Sequence, residues 1–256
     1  MPFVFGAALG WLMFHPPGWL SALGPLAWLV NLMFCALMLV SVVPLIALAN
    51  LPSDLKLEPV SETEVPSELG SLRSQLVRSG FRPAGPPLRV HVKPAAILLG
   101  FVHEKDPVYA TIFRTTTLPA KTGYDMVSVL YGDKGGLTTG ADPAGATLPA
   151  GSGSFRQVIK GAGIDALFQA HVDGIAFLRE KGIQVRPVSE GTFQQDLKAG
   201  VRHQREVFLA SPIRNSIMTL LRAGTKQVPF IGRLREQAAA QQQVTCFLSG
   251  QHQRAF

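Results

Sequence analysis

AAILLGFVHEKDPVYATIFRTTTLPAKTGYDMVSVLY, residues 95–131, is the stretch from which the fold is read. Ala95 to Val102 is one continuous apolar run, the pattern of a strand buried on both faces. Val108 to Thr117 is β-branched and aromatic and alternates apolar with polar residues. Tyr124 to Tyr131 alternates again, as a half-buried strand does. Gly132-Asp133-Lys134-Gly135-Gly136 then turns the chain, and Leu137 to Thr139 returns as a further strand. Upstream, Leu88 to Val92 carries the same alternation. Consecutive strands joined by short turns predict an antiparallel meander.

Helices are expected on either side of this block. Ser67 is a candidate N-cap for a helix running to about Ser79, with Leu69, Leu72 and Leu76 as its apolar stripe. Gly80 is a natural stop, and Phe81 can fold back on the helix. Beyond the strands, Ala141 to Gly153 has the composition of a loop. A short helix is expected from Phe155 to about Gly161. A longer one runs from Ile164 to Glu180, with Leu167, Phe168, His171, Ile175 and Leu178 on one face and Gly182 behind it. Ile183 to Val188 reads as a short strand. Glu190 to Leu209 and Pro212 to about Ala223 read as helices. Strands followed by helices argue an α+β domain.

The N-terminus has a different character. Pro25 to Ala49 (PLAWLVNLMFCALMLVSVVPLIALA) contains no charged residue. As a helix it reaches about 36 Å, against about 30 Å of hydrocarbon, and it offers no polar face to water. It reads as a transmembrane helix. Trp28 suits the interfacial belt, and Pro44 should kink the far end. Asn31 needs a protein, water or headgroup partner. A second apolar run, from Phe3 to Phe14, is too short to span by itself. Residues 3–23 either lie in the interface or re-enter it, or form a kinked first span that makes a helical hairpin with the second. No Lys or Arg precedes Lys56, so a cleavable signal peptide is not expected. Lys56, followed by Arg73, Arg78, Arg82 and Arg89, places the larger part of the chain on the cytoplasmic side, although only Lys56 lies close to the span.

The expected organisation is thus an anchor at 1–51, an acidic, proline-bearing linker at 52–66, a water-soluble α+β domain at 67–237 and a Gln-rich tail at 238–256. The chain is 47% hydrophobic and only 16% charged, which the uncharged N-terminus largely explains. Its net charge is +7, a surplus that beside an anchor favours anionic lipid over nucleic acid, for which no binding motif is present. Cys35 and Cys246 are too separate in character to suggest a disulfide framework, which fits a reducing compartment.

Catalytic and cofactor motifs are sparse. His171 is the one candidate general base, on an apolar helix face, and its plainer role is a histidine satisfied by a carbonyl or a strand hydroxyl. His103-Glu104-Lys105-Asp106 lies between two strands, and a metal would need further converging ligands, with His91 on another strand. Gly151-Ser152-Gly153-Ser154 with Arg156 would hold an anion if a helix began there. Neither a dinucleotide fingerprint nor a phosphate loop nor a nucleophile elbow occurs, so no metal or cofactor is expected. The stronger signal is the basic C-terminal third. Arg202, Arg205, Arg214, Arg222, Lys226, Arg233 and Arg235 are candidate contacts to an anion or to lipid. The reading that follows is a membrane-anchored domain that works by binding a membrane protein or the anionic bilayer. The alternative is a membrane-tethered hydrolase with His171 as base and Ser152 or Ser154 nearby.

Overall fold

The computed structural model describes residues 51–92, 94–116, 119–132, 135–141, 153–159, 161–212 and 214–215, together with Leu29 and Met33. Eight strands form one sheet: β1 (Leu57–Pro59), β2 (Phe81–Pro83), β3 (Leu88–Val90), β4 (Ala96–His103), β5 (Tyr109–Thr115), β6 (Thr122–Val129), β7 (Gly136–Gly140) and β8 (Phe155–Val158). Their order is β1-β3-β4-β5-β6-β7-β8, and β2 lies beside β4 next to β3. β3 pairs with Ala96 to Leu98 and β2 with Phe101 to His103, so the two short strands share one edge of β4 end to end. The run from β3 to β7 is antiparallel throughout, with Leu99 opposite Ile112 and Ala110 opposite Met126. This is an α+β fold built on a meander.

Three helices cover the sheet: α1 (Glu68–Arg78), α2 (Ile164–Glu180) and α3 (Phe193–Ala210). The period-two geometry of β4 explains why both faces are covered. Ile97, Leu99 and Phe101 join Leu69, Leu76, Leu167, Ile175 and Leu178 in the larger core, beneath α1 and α2. Leu98 and Val102 point the other way and join Leu88, Val90, Tyr109 and Phe193 beneath α3. Gly100 lies between them. A Cβ there would come within 2.2 Å of the Phe193 ring, so the glycine is the socket for the first residue of α3. Gly80, at φ 86, ends α1, and Phe81 turns into the core.

Several local expectations do not hold. The stretch expected to be a linker belongs to the domain: Leu57–Pro59 is the edge strand β1, paired to β3, and Leu55 and Val60 are buried. Acids and prolines dominate that segment, yet two inward apolar residues and three ladder positions dock it. Phe155–Val158 is a strand rather than a helix. It pairs in parallel with β7, Leu137 opposite Phe155, and residues 141–154 supply the crossover that a parallel pair needs. Four residues carry too little periodicity to separate helix from strand, and the open edge of β7 decides. Ile183 to Val188 contributes a single bridge, Leu130 to Val185. Ser67 takes the N-cap position of α1, but its hydroxyl reaches the Glu68 carboxylate instead of a backbone amide.

The expected span at 25–49 lies outside the described residues, apart from Leu29 and Met33, which are helical, four apart and 67% exposed each. Among the described residues no helix is long and apolar enough to cross a membrane. Residues 3–23, the Gln-rich tail and the last expected helix beyond Asn215 also lie outside them.

Candidate functional site

His171 faces inward from α2 and is completely buried. Its two ring nitrogens meet hydroxyls from two strands. Ser128 Oγ on β6 is 2.9 Å from Nε2, and Thr139 Oγ1 on β7 is 2.7 Å from Nδ1. The neighbouring bonds fix where each proton lies. Gln157 Nε2 on β8 donates to Thr139 Oγ1 at 2.7 Å and to the Ala170 carbonyl at 2.9 Å. The Thr139 hydroxyl hydrogen is then free to go to Nδ1. Ser128 donates to the Pro107 carbonyl at 2.6 Å, so its oxygen accepts from Nε2–H. The histidine is therefore the neutral Nε2–H tautomer, with both nitrogens satisfied. Burial pushes its pKa down to about 3, and the two ring nitrogens meet neutral hydroxyls, which do not oppose that shift. A general base must reach a substrate proton. This imidazole reaches two core hydroxyls, and Ser154 bonds to α3 on the opposite face of the sheet. Ser152 lies outside the described residues.

The His103-Glu104-Lys105-Asp106 segment turns the chain from β4 to β5. His103 Nδ1 accepts from the Asp106 amide at 3.0 Å, and its ring packs edge-on against Phe81 and at a tilt against Phe168. His91 pairs with Glu58 at 3.0 Å near the other end of β4. The two histidines do not face each other. Among the described residues no three His, Cys, Asp or Glu side chains converge as metal ligands would.

Helix α3 is where the polar groups gather. Its first turn is clasped to the sheet by Asp196, which accepts from the Tyr109 phenol at 2.8 Å and pairs with Arg186. Burial raises the Tyr109 pKa, and the adjacent carboxylate adds to the rise. Further along, Lys198, Arg202 and Arg205 recur at i, i+4 and i+7 and so share one stripe. Arg202 and Arg214 are exposed. Arg205 is half-buried, and its Nε has no hydrogen-bond partner among the described residues. Arg222, Lys226, Arg233 and Arg235 lie outside the described residues. Near the end of α3, Phe208 is sealed against Leu51, and Asn215 donates back to the Val207 and Phe208 carbonyls at 2.9 and 3.2 Å.

Between α3 and strands β6 to β8 runs a cleft of about 360 Å³. Val127 and Val129 give it an apolar floor, and Ala199 and Gly200 keep the helix wall low. Arg156, Ser154, Arg202, His203, Gln204 and Glu206 form its polar rim. Bonds across it include Ser154 Oγ to His203 Nε2 at 3.5 Å and Arg156 Nη2 to Gln204 Oε1 at 3.4 Å. Both are near the outer limit of hydrogen bonding. Ser154 and Arg156, expected to hold an anion from a helix N-terminus, reach this cleft from a strand and the residue before it, so no helix amides assist them. Gly200, His203 and Gln204 carried no sequence motif; the only available hint was small and polar residues repeating along the flank of α3 beside its apolar stripe. Comparison of the chain with protein-family models, with curated proteins and with solved structures returns no match.

Proposed function

We propose that this protein is a membrane-anchored α+β domain that faces the cytoplasm and works by binding, its partner being the anionic lipid surface or another membrane protein. The observation that supports this is the packing of Leu51 on Phe208. Leu51 follows the uncharged Pro25–Ala49 stretch almost directly, so a span ending there delivers the chain to the C-terminal end of α3. Exposed Arg202 and Arg214 and half-exposed Leu209 lie along that end of the molecule. Each cation near an anionic bilayer contributes about 1 kcal/mol, and an exposed leucine between them suits the headgroup boundary.

Alkaline extraction of membranes from cells making the full chain tests the anchor. The protein is expected in the membrane pellet. Recovery of the intact chain in the supernatant without detergent would overturn the proposal. A chain beginning at Asn50 tests the surface contact: it should float with vesicles containing phosphatidylserine at low salt and sink with phosphatidylcholine alone.

A further inference from the structure

We propose that the cleft between α3 and strands β6 to β8 is a binding site for an anionic amphiphile, with the head on Arg156 and Arg202 and the apolar body on Val127 and Val129. The choice of a lipid as the source of that ligand rests on the anchoring proposal; the chemistry of the cleft does not. The apolar floor and polar rim follow from strand alternation. Val127 and Val129 project toward α3, whereas Ser128 between them projects toward α2 to meet His171. Arg156 and Gln157 divide in the same way on β8. One side of the cleft is therefore dry and the other is lined with donors, the usual composition of a small-molecule site.

Charge argues for an anionic head. Asp196 also lines the cleft, but its carboxylate is already committed to Arg186 and Tyr109. The remaining rim holds two guanidinium groups against the single carboxylate of Glu206. Guanidinium recognises phosphate and carboxylate in a planar, forked geometry. An anionic head on the exposed Arg202 would make a shorter, charge-assisted contact than either of the two long bonds across the cleft. Space argues in the same direction. A Cβ built on Gly200 meets nothing within 4 Å, so no packing demand explains a glycine inside α3, where it costs about 1 kcal/mol relative to alanine. Location completes the case: Glu206, at one end of the cleft, lies within a turn of Phe208, and Phe208 packs on Leu51. A span ending before Leu51 sets the mouth of the cleft near the headgroups.

The test is an NMR titration of the full chain in phosphatidylcholine nanodiscs, following the Arg156 and His203 amides. The probes are dihexanoyl phosphatidic acid and, as the head alone, inorganic phosphate. The short-chain lipid should shift both amides saturably. Gly200→Leu fills the open space without demanding an unusual backbone angle and should weaken binding by about tenfold or more. Arg202→Glu, on an exposed side chain, should weaken it about as much while leaving the far-UV spectrum unchanged. Absence of any shift up to about 1 mM lipid, or shifts that persist equally in both variants, would overturn the proposal. Phosphate binding as tightly as the lipid would overturn the amphiphile and leave an anion site. If the chain proves soluble, the same titration in buffer reads the cleft, so failure of the anchor and failure of the site are told apart.

Discussion

Lowering the pH should destabilise the domain through His171. In the folded chain this imidazole is neutral, with its pKa pushed down to about 3 by burial, against 6.5 for a free histidine. Below 6.5 the unfolded chain binds a proton that the folded chain refuses. The unfolded state then holds more protons, and stability rises with pH through this window. Stability is complete above 6.5 and is lost progressively as the pH falls toward 3. At about pH 5 the histidine alone accounts for about 2 kcal/mol of lost stability. The assay is urea unfolding at about pH 7.5 and about pH 5, followed by far-UV circular dichroism, since all three tryptophans precede residue 30 and none belongs to a strand of the sheet. Carboxylates titrate as well, so the informative quantity is the difference between wild type and His171→Gln, which keeps a donor and an acceptor and cannot ionise. The variant should lose about 2 kcal/mol less than the wild type over the same interval. Equal losses in the two proteins, or an NMR titration of native His171 centred near 6, would refute the proton assignment drawn from Ser128, Thr139 and Gln157.

Two further predictions concern how α3 is held. Gly100→Ala drives a methyl group to within 2.2 Å of the Phe193 ring and should cost about 1–3 kcal/mol in thermal or urea unfolding. Adding Phe193→Leu should return part of that loss, whereas a fully neutral Gly100→Ala would mean that α3 is not seated on β4. Asp196→Ala strips the carboxylate from both the Tyr109 phenol and Arg186, and a loss of about 1–3 kcal/mol is expected. Tyr109→Phe in the same background should then cost less than in the wild type, the non-additivity of a shared contact, with a remainder from the phenol's bonds to Thr192 Oγ1 and the Ser189 carbonyl.

The meander was legible because its strands differ in the faces they bury. Ala95 to Val102 read as a strand covered on both sides, and β4 is that strand, with Ile97, Leu99 and Phe101 under two helices and Leu98 and Val102 under the third. Ile164 to Glu180 read as a helix because its stripe repeats over several turns, and α2 has those bounds. The failures share a cause. β1 and β8 are three and four residues long and sit at the two ends of the sheet, where a neighbouring edge and not their own pattern makes them strands. The acids and proline of residues 52–66 describe their exposed atoms faithfully, but docking needs only the side chains of Leu55 and Val60.

The partners of His171 were within reach of the same period-two argument. In Tyr124 to Tyr131, Met126 and Leu130 are core positions, so Ser128 between them must be one too. Thr139 stands two residues from buried Leu137, and Gln157 two from buried Phe155. Three strands thus each place one polar side chain where an apolar one is expected, and one helix presents an imidazole to them. A buried polar group is costly unless bonded, so the four are stable only together. The consequence is register. Sliding β6, β7 or β8 by one residue turns its hydroxyl or amide to the face beneath α3 and leaves the histidine unsatisfied. β8 has most need of that constraint, because it is short, parallel and reached by a long crossover, and Gln157 ties it to β7 through Thr139 and to α2 through the Ala170 carbonyl. The same register sets Arg156 on the opposite face, at the rim of the cleft. The buried network on one side of the sheet therefore determines which side chains reach the candidate binding surface on the other.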